Sequence, residues 1–314
     1  MSANTNAGDW SPDVEKLAGF DEEEWARVER AYAGRLLSYV SRRVPDRELV
    51  GDVVQEVFLG AVRGISSFDR RFTFEQYLFG ICRNRTIDQM RRRAPVTFGV
   101  DEDDESGFGG FDAVAGEGET PSRIVRRSDL EDRARTLVRA ALLDWVQETW
   151  AAGEFNRLSV VEALMRGGWR NRDTWQRFGL RDESAVAGVK FRALKKLREH
   201  VQRADPDGDV VPSLAALAED GEIPLDVARV WEEERVSCPA RHWLARSLAG
   251  TLPEGPAAFI ALHVDEIGCE WCRANREDLG RRDASELEPL LRTIQASTAR
   301  LLRSRTLEPP RTES

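Results

Sequence analysis

The residues best suited to hold an ion are Cys238, Cys269 and Cys272, with His263 or His242 beside them. Two residues separate Cys269 from Cys272, the spacing at which two thiolates reach one tetrahedral ion. Cys238 supplies a third thiol. His263, with twenty-four residues between it and Cys238, completes a Cys3His set, and His242, one helical turn after Cys238, is its rival. Such a set suits zinc, and closed Cys3His sites are structural rather than catalytic. The alternative is three buried thiols without metal. With three histidines in the chain and no nucleophile-base pair, no enzymatic activity is expected.

A second constellation occupies residues 68–93, FDRRFTFEQYLFGICRNRTIDQMRRR, where five aromatics stand among seven arginines. Guanidinium groups form paired bonds to phosphate and aromatic rings stack on unpaired bases, so Phe68, Arg70, Arg71 and Phe72 read as a single-strand-binding loop. From Phe74 onward, Phe74, Tyr77, Leu78, Ile81 and Cys82 recur at helical spacing and predict a helix to about residue 93. Asn84 and Asp88 lie one turn apart on its polar face. Arg91, Arg92 and Arg93 close it, where cations suit the negative end of the helix dipole. The bland reading is an amphipathic helix with a solvated basic end.

Two elements must position this cluster. Residues 49–62, LVGDVVQEVFLGAV, predict a preceding helix with Val50, Val53, Val54, Val57, Phe58 and Ala61 on one face and Asp52, Gln55 and Glu56 on the other. The order DVVQEVFLGA, loop FDRRFTF, then QYLFGICRNRTIDQMRRR resembles region 2 of the extracytoplasmic-function (ECF) sigma factors of bacterial RNA polymerase. That resemblance implies that Asp52, Gln55 and Glu56 dock on a coiled coil of core RNA polymerase. It implies that the loop from Phe68 to Phe74 holds a base flipped out of the start-proximal element of promoter DNA. Asn84, Asp88, Arg91, Arg92 and Arg93 are implied to contact that element and its phosphates. Tyr77 belongs to the same surface and stands where the family usually has tryptophan.

Further on, NRDTWQRFGLRDESAVAGVKFRALKKLREHV reads as helix, turn at Gly179, and a second helix capped by Asp182. The second helix buries Val186, Val189, Ala193, Leu194 and Leu197 and leaves Ser184, Ala187, Lys190, Arg192, Lys195 and Lys196 outward, as a recognition helix would. The segment resembles region 4 of the same family, which implies that Arg181, Ser184, Ala187, Lys190, Arg192 and Lys195 face the upstream promoter element. It departs from the family in a turn one residue longer and in Ala187 and Val189, where basic residues are frequent. The run from Cys238 to Cys272 resembles the small zinc-binding helical domain of anti-sigma factors, whose usual pattern ends His-x3-Cys-x2-Cys. Here the spacing is His-x5-Cys. The place of His263 in that pattern favours it over His242, and the resemblance implies a fold that clasps sigma domains, within this chain or on an anti-sigma partner.

Composition sets the frame. A 314-residue chain with 41% hydrophobic and 32% charged residues supports two or three modest cores. A net charge of -9 excludes a protein that coats nucleic acid by charge alone, so DNA contact must be local. The first twenty residues have no apolar run and nowhere do eighteen apolar residues occur together, so a cytoplasmic protein without a membrane segment is expected. The expected architecture is all-α. A disordered N-terminus (1–19) precedes a region 2 domain (20–93), and an acidic flexible linker (94–122) leads to a region 4 helix-turn-helix domain (123–203). A hinge with short helices (204–236), a C-terminal zinc-binding module (237–305) and a disordered tail (306–314) follow. The function expected is promoter recognition and melting with core polymerase, regulated by the extension; the alternative is a stand-alone helix-turn-helix regulator with a zinc-binding sensor domain.

Overall fold

The computed structural model describes residues 10–93, 121–205, 208, 227–281 and 284–306. Among them the regular structure is helical, with no strand. They form two compact units, one drawn from 1–96, 239–252 and 268–314, the other from 97–238 and 253–267.

The first unit is built on capped helices. Asp13 accepts hydrogen bonds from Glu15 N and Lys16 N at 3.0 and 3.2 Å and opens α1 (Val14–Ala18). Residues 1–9 of the N-terminal stretch expected to be disordered lie outside the described residues, and Val14–Ala18 is helical. Leu17 is fully buried, and its carbonyl accepts from the Trp25 indole at 3.1 Å, which ties α1 to α2 (Glu22–Ser41). Asp21 and Asp46 cap α2 and α3 (Arg47–Gly64) in the same way. Before α4 (Phe74–Arg93), Thr73 and Gln76 form a reciprocal capping box: Thr73 N donates to Gln76 Oε1 at 2.8 Å and Gln76 N to Thr73 Oγ1 at 3.2 Å. Trp25, Leu36, Val54, Val57, Phe58, Leu78, Phe79 and Cys82 fill the core between these helices.

The second unit contains α5 (Pro121–Ala151), α6 (Phe155–Met165), α7 (Asn171–Arg177) and α8 (Glu183–Ala204). Pro121 occupies the first helical position, so residues 121 and 122 belong to α5 rather than to the linker. Between α7 and α8, Gly179 takes a φ of 63°, which closes the turn, and Asp182 Oδ1 accepts from Ala185 N at 2.8 Å. Residues 94–120 of the linker, the hinge at 206–207 and 209–226, and the tail beyond 306 lie outside the described residues.

The C-terminal extension divides. Here α9 (Val227–Glu233) and α11 (Glu254–Ala261) pack in the second unit, where Trp231 meets Trp145 at 6.1 Å and Phe259 meets Trp150 at 5.5 Å between ring centroids. By contrast, α10 (Arg241–Leu248), α12 (Glu270–Gly280) and α13 (Glu288–Thr306) pack in the first, whose core takes in Ala274, Ile294 and Leu302. The sequence reading expects one module over 237–305. Helices of 7 to 11 residues such as α9 to α12 are too short to stand without tertiary partners, and the two larger units supply them.

Candidate nucleic-acid and partner surfaces and a candidate metal centre

The polar face of α3 is open at two of its three residues. Asp52 and Glu56 are exposed, Glu56 lying 4.0 Å from Arg85. Gln55 is half-buried and its Nε2 donates to Ser297 Oγ on α13.

The loop before α4 splits into two roles. Phe74 is only 5% exposed and meets Trp25 and Tyr32 edge-on at 6.2 and 6.1 Å. Phe68 packs on Phe74 and Tyr77 at 6.3 and 5.1 Å, and Tyr77 donates its hydroxyl to Ala61 O at 2.9 Å. These three rings are a floor, committed to the core. Above them Arg70 and Arg71 are exposed, held by Glu15 at 2.5 Å and Asp69 at 2.6 Å, and Phe72 is half-buried. Asn84 and Asp88 are exposed on α4, and Arg91, Arg92 and Arg93 continue its backbone.

On α8 the buried residues Val186, Val189, Ala193 and Leu197 leave Ser184, Ala187, Lys190, Arg192 and Lys195 exposed, with exposed Arg181 paired to Asp182 at 2.8 Å. The sequence reading passed over Phe191, which is 65% exposed on the same face as Ser184, Ala187 and Lys195. An outward aromatic among lysines and arginines was the available signal.

The ligand atoms of Cys238, His263, Cys269 and Cys272 all lie within 4.8 Å of one another, and His242 is outside the group. None of the four cysteines, all among the described residues, is in a disulfide, and burial pushes the Cys82 thiol up to about 12, so Cys82 stays protonated and inert. Tetrahedral zinc with Zn–S bonds of about 2.3 Å sets sulfurs about 3.8 Å apart, a small contraction of this group. The long His-x5-Cys spacing has a local cause. His263 sits in a π-helical turn, Leu262–Glu266, closed by Ile267 N donating to Leu262 O at 2.9 Å, and Gly268 follows at φ 79°. The π turn takes up an extra residue where an α-turn would not. Cys269 then caps α12 and Cys272 lies in its first turn, where the helix dipole favours thiolate.

Comparison with known proteins accounts for the first helical set. Residues 30–96 match the family Sigma-70 region 2. A probable RNA polymerase sigma factor of Haemophilus influenzae is 29% identical over 72 residues, 23% of this chain and 37% of that protein. The ECF RNA polymerase sigma factor SigW of Bacillus subtilis is 27% identical over 82 residues, 26% of this chain and 44% of its own length. Residues 30–96 are thus similar to a sigma-70 region 2 domain. The RNA polymerase sigma-H factor of Pseudomonas aeruginosa is 28% identical over 120 residues, 38% of this chain and 62% of that protein. The matches thus span between about a third and three fifths of these relatives. No solved structure matches the chain. No helix among the described residues is long and apolar enough to cross a membrane.

The region 2 domain is clasped by the extension within its own unit. On α2, Arg42 pairs with Glu277, Arg43 with Glu270, and Ser38 Oγ accepts from Arg281 at 2.9 Å. The Trp271 ring lies 4.0 Å from Phe79 and 5.9 Å from Tyr39 between centroids. Along α13, Leu290 reaches Gly51, Ser297 bonds Gln55, and Thr298 faces Glu29.

Glu29 gives this clasp a pH dependence. It is 2% exposed, its Oε1 makes no hydrogen bond, and burial pushes its carboxyl up to about 7, against the lowering pull of Thr298 and Arg30. An acid with a folded pKa above its unfolded one holds its proton in the native state only, so stability falls as pH rises from about 4.5 to about 7 and the loss is complete above that. The loss is on the order of 3 kcal/mol. Melting temperatures from pH 5 to pH 8 should therefore fall in the wild type and much less in Glu29→Gln, which should be the more stable of the two at pH 8; equal slopes would remove Glu29 as the cause.

Proposed function

We propose that this chain is a promoter-specificity subunit that binds core RNA polymerase, directs promoter recognition and melts promoter DNA in the cytoplasm, without catalysis of its own. The match of residues 30–96 to Sigma-70 region 2 carries this reading. Asp52, Gln55 and Glu56 dock on polymerase. In the melting loop, base and phosphate contact falls to Phe72, Arg70 and Arg71, exposed or half-exposed over the floor of Phe68, Phe74 and Tyr77. Asn84, Asp88 and Arg91 to Arg93 continue that contact, and Arg181, Ser184, Ala187, Lys190, Arg192 and Lys195 read the upstream element. The test is pull-down of core RNA polymerase by the full chain, followed by run-off transcription. Failure to retain polymerase, with DNA still bound, would make it a stand-alone helix-turn-helix regulator instead.

The extension regulates this activity. Cys238, His263, Cys269 and Cys272 hold one structural zinc, which supplies fixed cross-links among short helices that have little core of their own. The clasp occupies Gln55 through Ser297, so the extension and polymerase compete for α3. Purified protein should contain about one zinc per chain by elemental analysis, and the Cys269→Ser, Cys272→Ser double variant should lose most of it. Metal-free wild-type protein would remove the zinc assignment and leave the promoter reading untouched.

A further inference from the structure

Glu162 is a carboxylate in the wrong place for an ordinary helix-turn-helix domain. It sits on α6 in the apolar run VVEALM, its side chain fully buried. Buried acids are kept when something fixed is gained from them, because desolvating a carboxylate costs several kcal/mol on the order-of-magnitude scale of such ions. Here one oxygen, Oε1, lies 2.6 Å from His263 Nδ1 and accepts from Ser237 Oγ at 2.9 Å and from Arg166 Nη1 at 3.3 Å. Ser237 is held in turn by the Trp231 indole, which donates to its Oγ at 2.8 Å. The second oxygen, Oε2, is buried with no hydrogen-bond partner.

These contacts converge on the candidate metal centre from one side. His263 is one of the four ligands, and Ser237 directly precedes another, Cys238. A histidine whose Nδ1–H is given to a carboxylate is fixed in tautomer and ring orientation and binds metal through Nε2 with raised basicity. We propose that Glu162 is the positioning residue of the metal centre: it aims the His263 ring directly and holds the Cys238 backbone through Ser237. Zinc occupancy and the packing of α6 are then one cooperative event. The unit that carries α6 to α8 then supplies not only Cys238 and His263 but also the carboxylate that orients one of them. This rests on the zinc reading above, and the experiment separates the two.

The full chain, loaded with zinc, is titrated against a chromophoric chelator in the wild type, Glu162→Gln, and Val160→Ala. Val160 is buried on the same helix and serves as a packing control without a carboxylate. Glu162→Gln should weaken zinc by about 10- to 100-fold, the usual effect of losing such a partner, while Val160→Ala lowers the melting temperature with zinc affinity unchanged. Repeating Glu162→Gln in a His263→Cys background guards against a general folding defect: with no imidazole left to orient, the remaining loss should shrink to the part carried through Ser237. Wild-type protein that takes up no zinc sinks the metal reading and this one with it. Loaded wild type with Glu162→Gln of equal affinity, or with Val160→Ala equally weakened, overturns the positioning role alone.

Discussion

Alanine at Asp52, Gln55 and Glu56 together is expected to abolish co-purification of core RNA polymerase while helical content stays at the wild-type level. Asp52 and Glu56 are exposed, and the Glu56–Arg85 pair at 4.0 Å is a solvent-facing contact, worth about 0–1 kcal/mol. Surface substitutions of this kind change stability by about half a kcal/mol each. Gln55 costs slightly more, since its bond to Ser297 is lost. That loss has a useful sign. It loosens α13 from α3, which on its own would make the docking face more open to polymerase. A fall in polymerase binding therefore cannot come from a tighter clasp, and circular dichroism excludes unfolding. Polymerase retained at the wild-type level by the triple variant would show that α3 is not the docking face.

Much of the helical framework was readable because its signals are local. Asp182 caps α8 as the sequence indicates, and the stripe Val50, Val53, Val54, Val57, Phe58 and Ala61 is buried on α3 as spaced. The loop before α4 was readable only in composition. Nothing in the order of Phe68, Phe72, Phe74 and Tyr77 tells which ring the core will claim, and three of the four are claimed by contacts with one another, Trp25, Tyr32 or the Ala61 carbonyl. The predicted stripe omits Phe79, which is buried against Trp271. The partners that decide these matters lie far along the chain. Trp271 is reached from Phe79 across nearly two hundred residues, and no periodicity reports such a pairing. Glu162 was overlooked because a lone acid within an apolar run looks like an interruption, whereas its partner His263 is 101 positions away. The His-x5-Cys spacing is two residues longer than His-x3-Cys; the π turn at Leu262–Glu266 takes up one of them, and Gly268, at φ 79°, precedes Cys269.

Gly34→Leu is the change expected to release the clasp, and its effect follows from an oddity inside α2. A glycine in a helix interior costs roughly 1 kcal/mol relative to alanine, so Gly34 needs a reason, and the structure supplies one. A Cβ built there would stand 1.8 Å from Asp278 Oδ1 and 3.0 Å from a Leu287 methyl, both on the extension. Asp278 cannot simply swing aside, because it is paired to Arg241 and lies on α12 beside Asn275, which the same arginine also binds. Leucine at 34 is a better helix former for α2 and is incompatible with docked α12. Hydrogen exchange should therefore show lost protection across α12 and α13 with α2 and α3 still protected, and polymerase binding should rise by about tenfold or more, the equivalent of about 1.4 kcal/mol of docking removed. Melting temperature should move the other way. Ala274, Ile294 and Leu302 complete the core of this unit, and withdrawing them exposes apolar surface to water. Lower stability with stronger binding is a pair of opposite signs that a merely misfolded variant cannot produce. Unchanged protection of α12 together with unchanged polymerase binding would show that the extension does not gate α3.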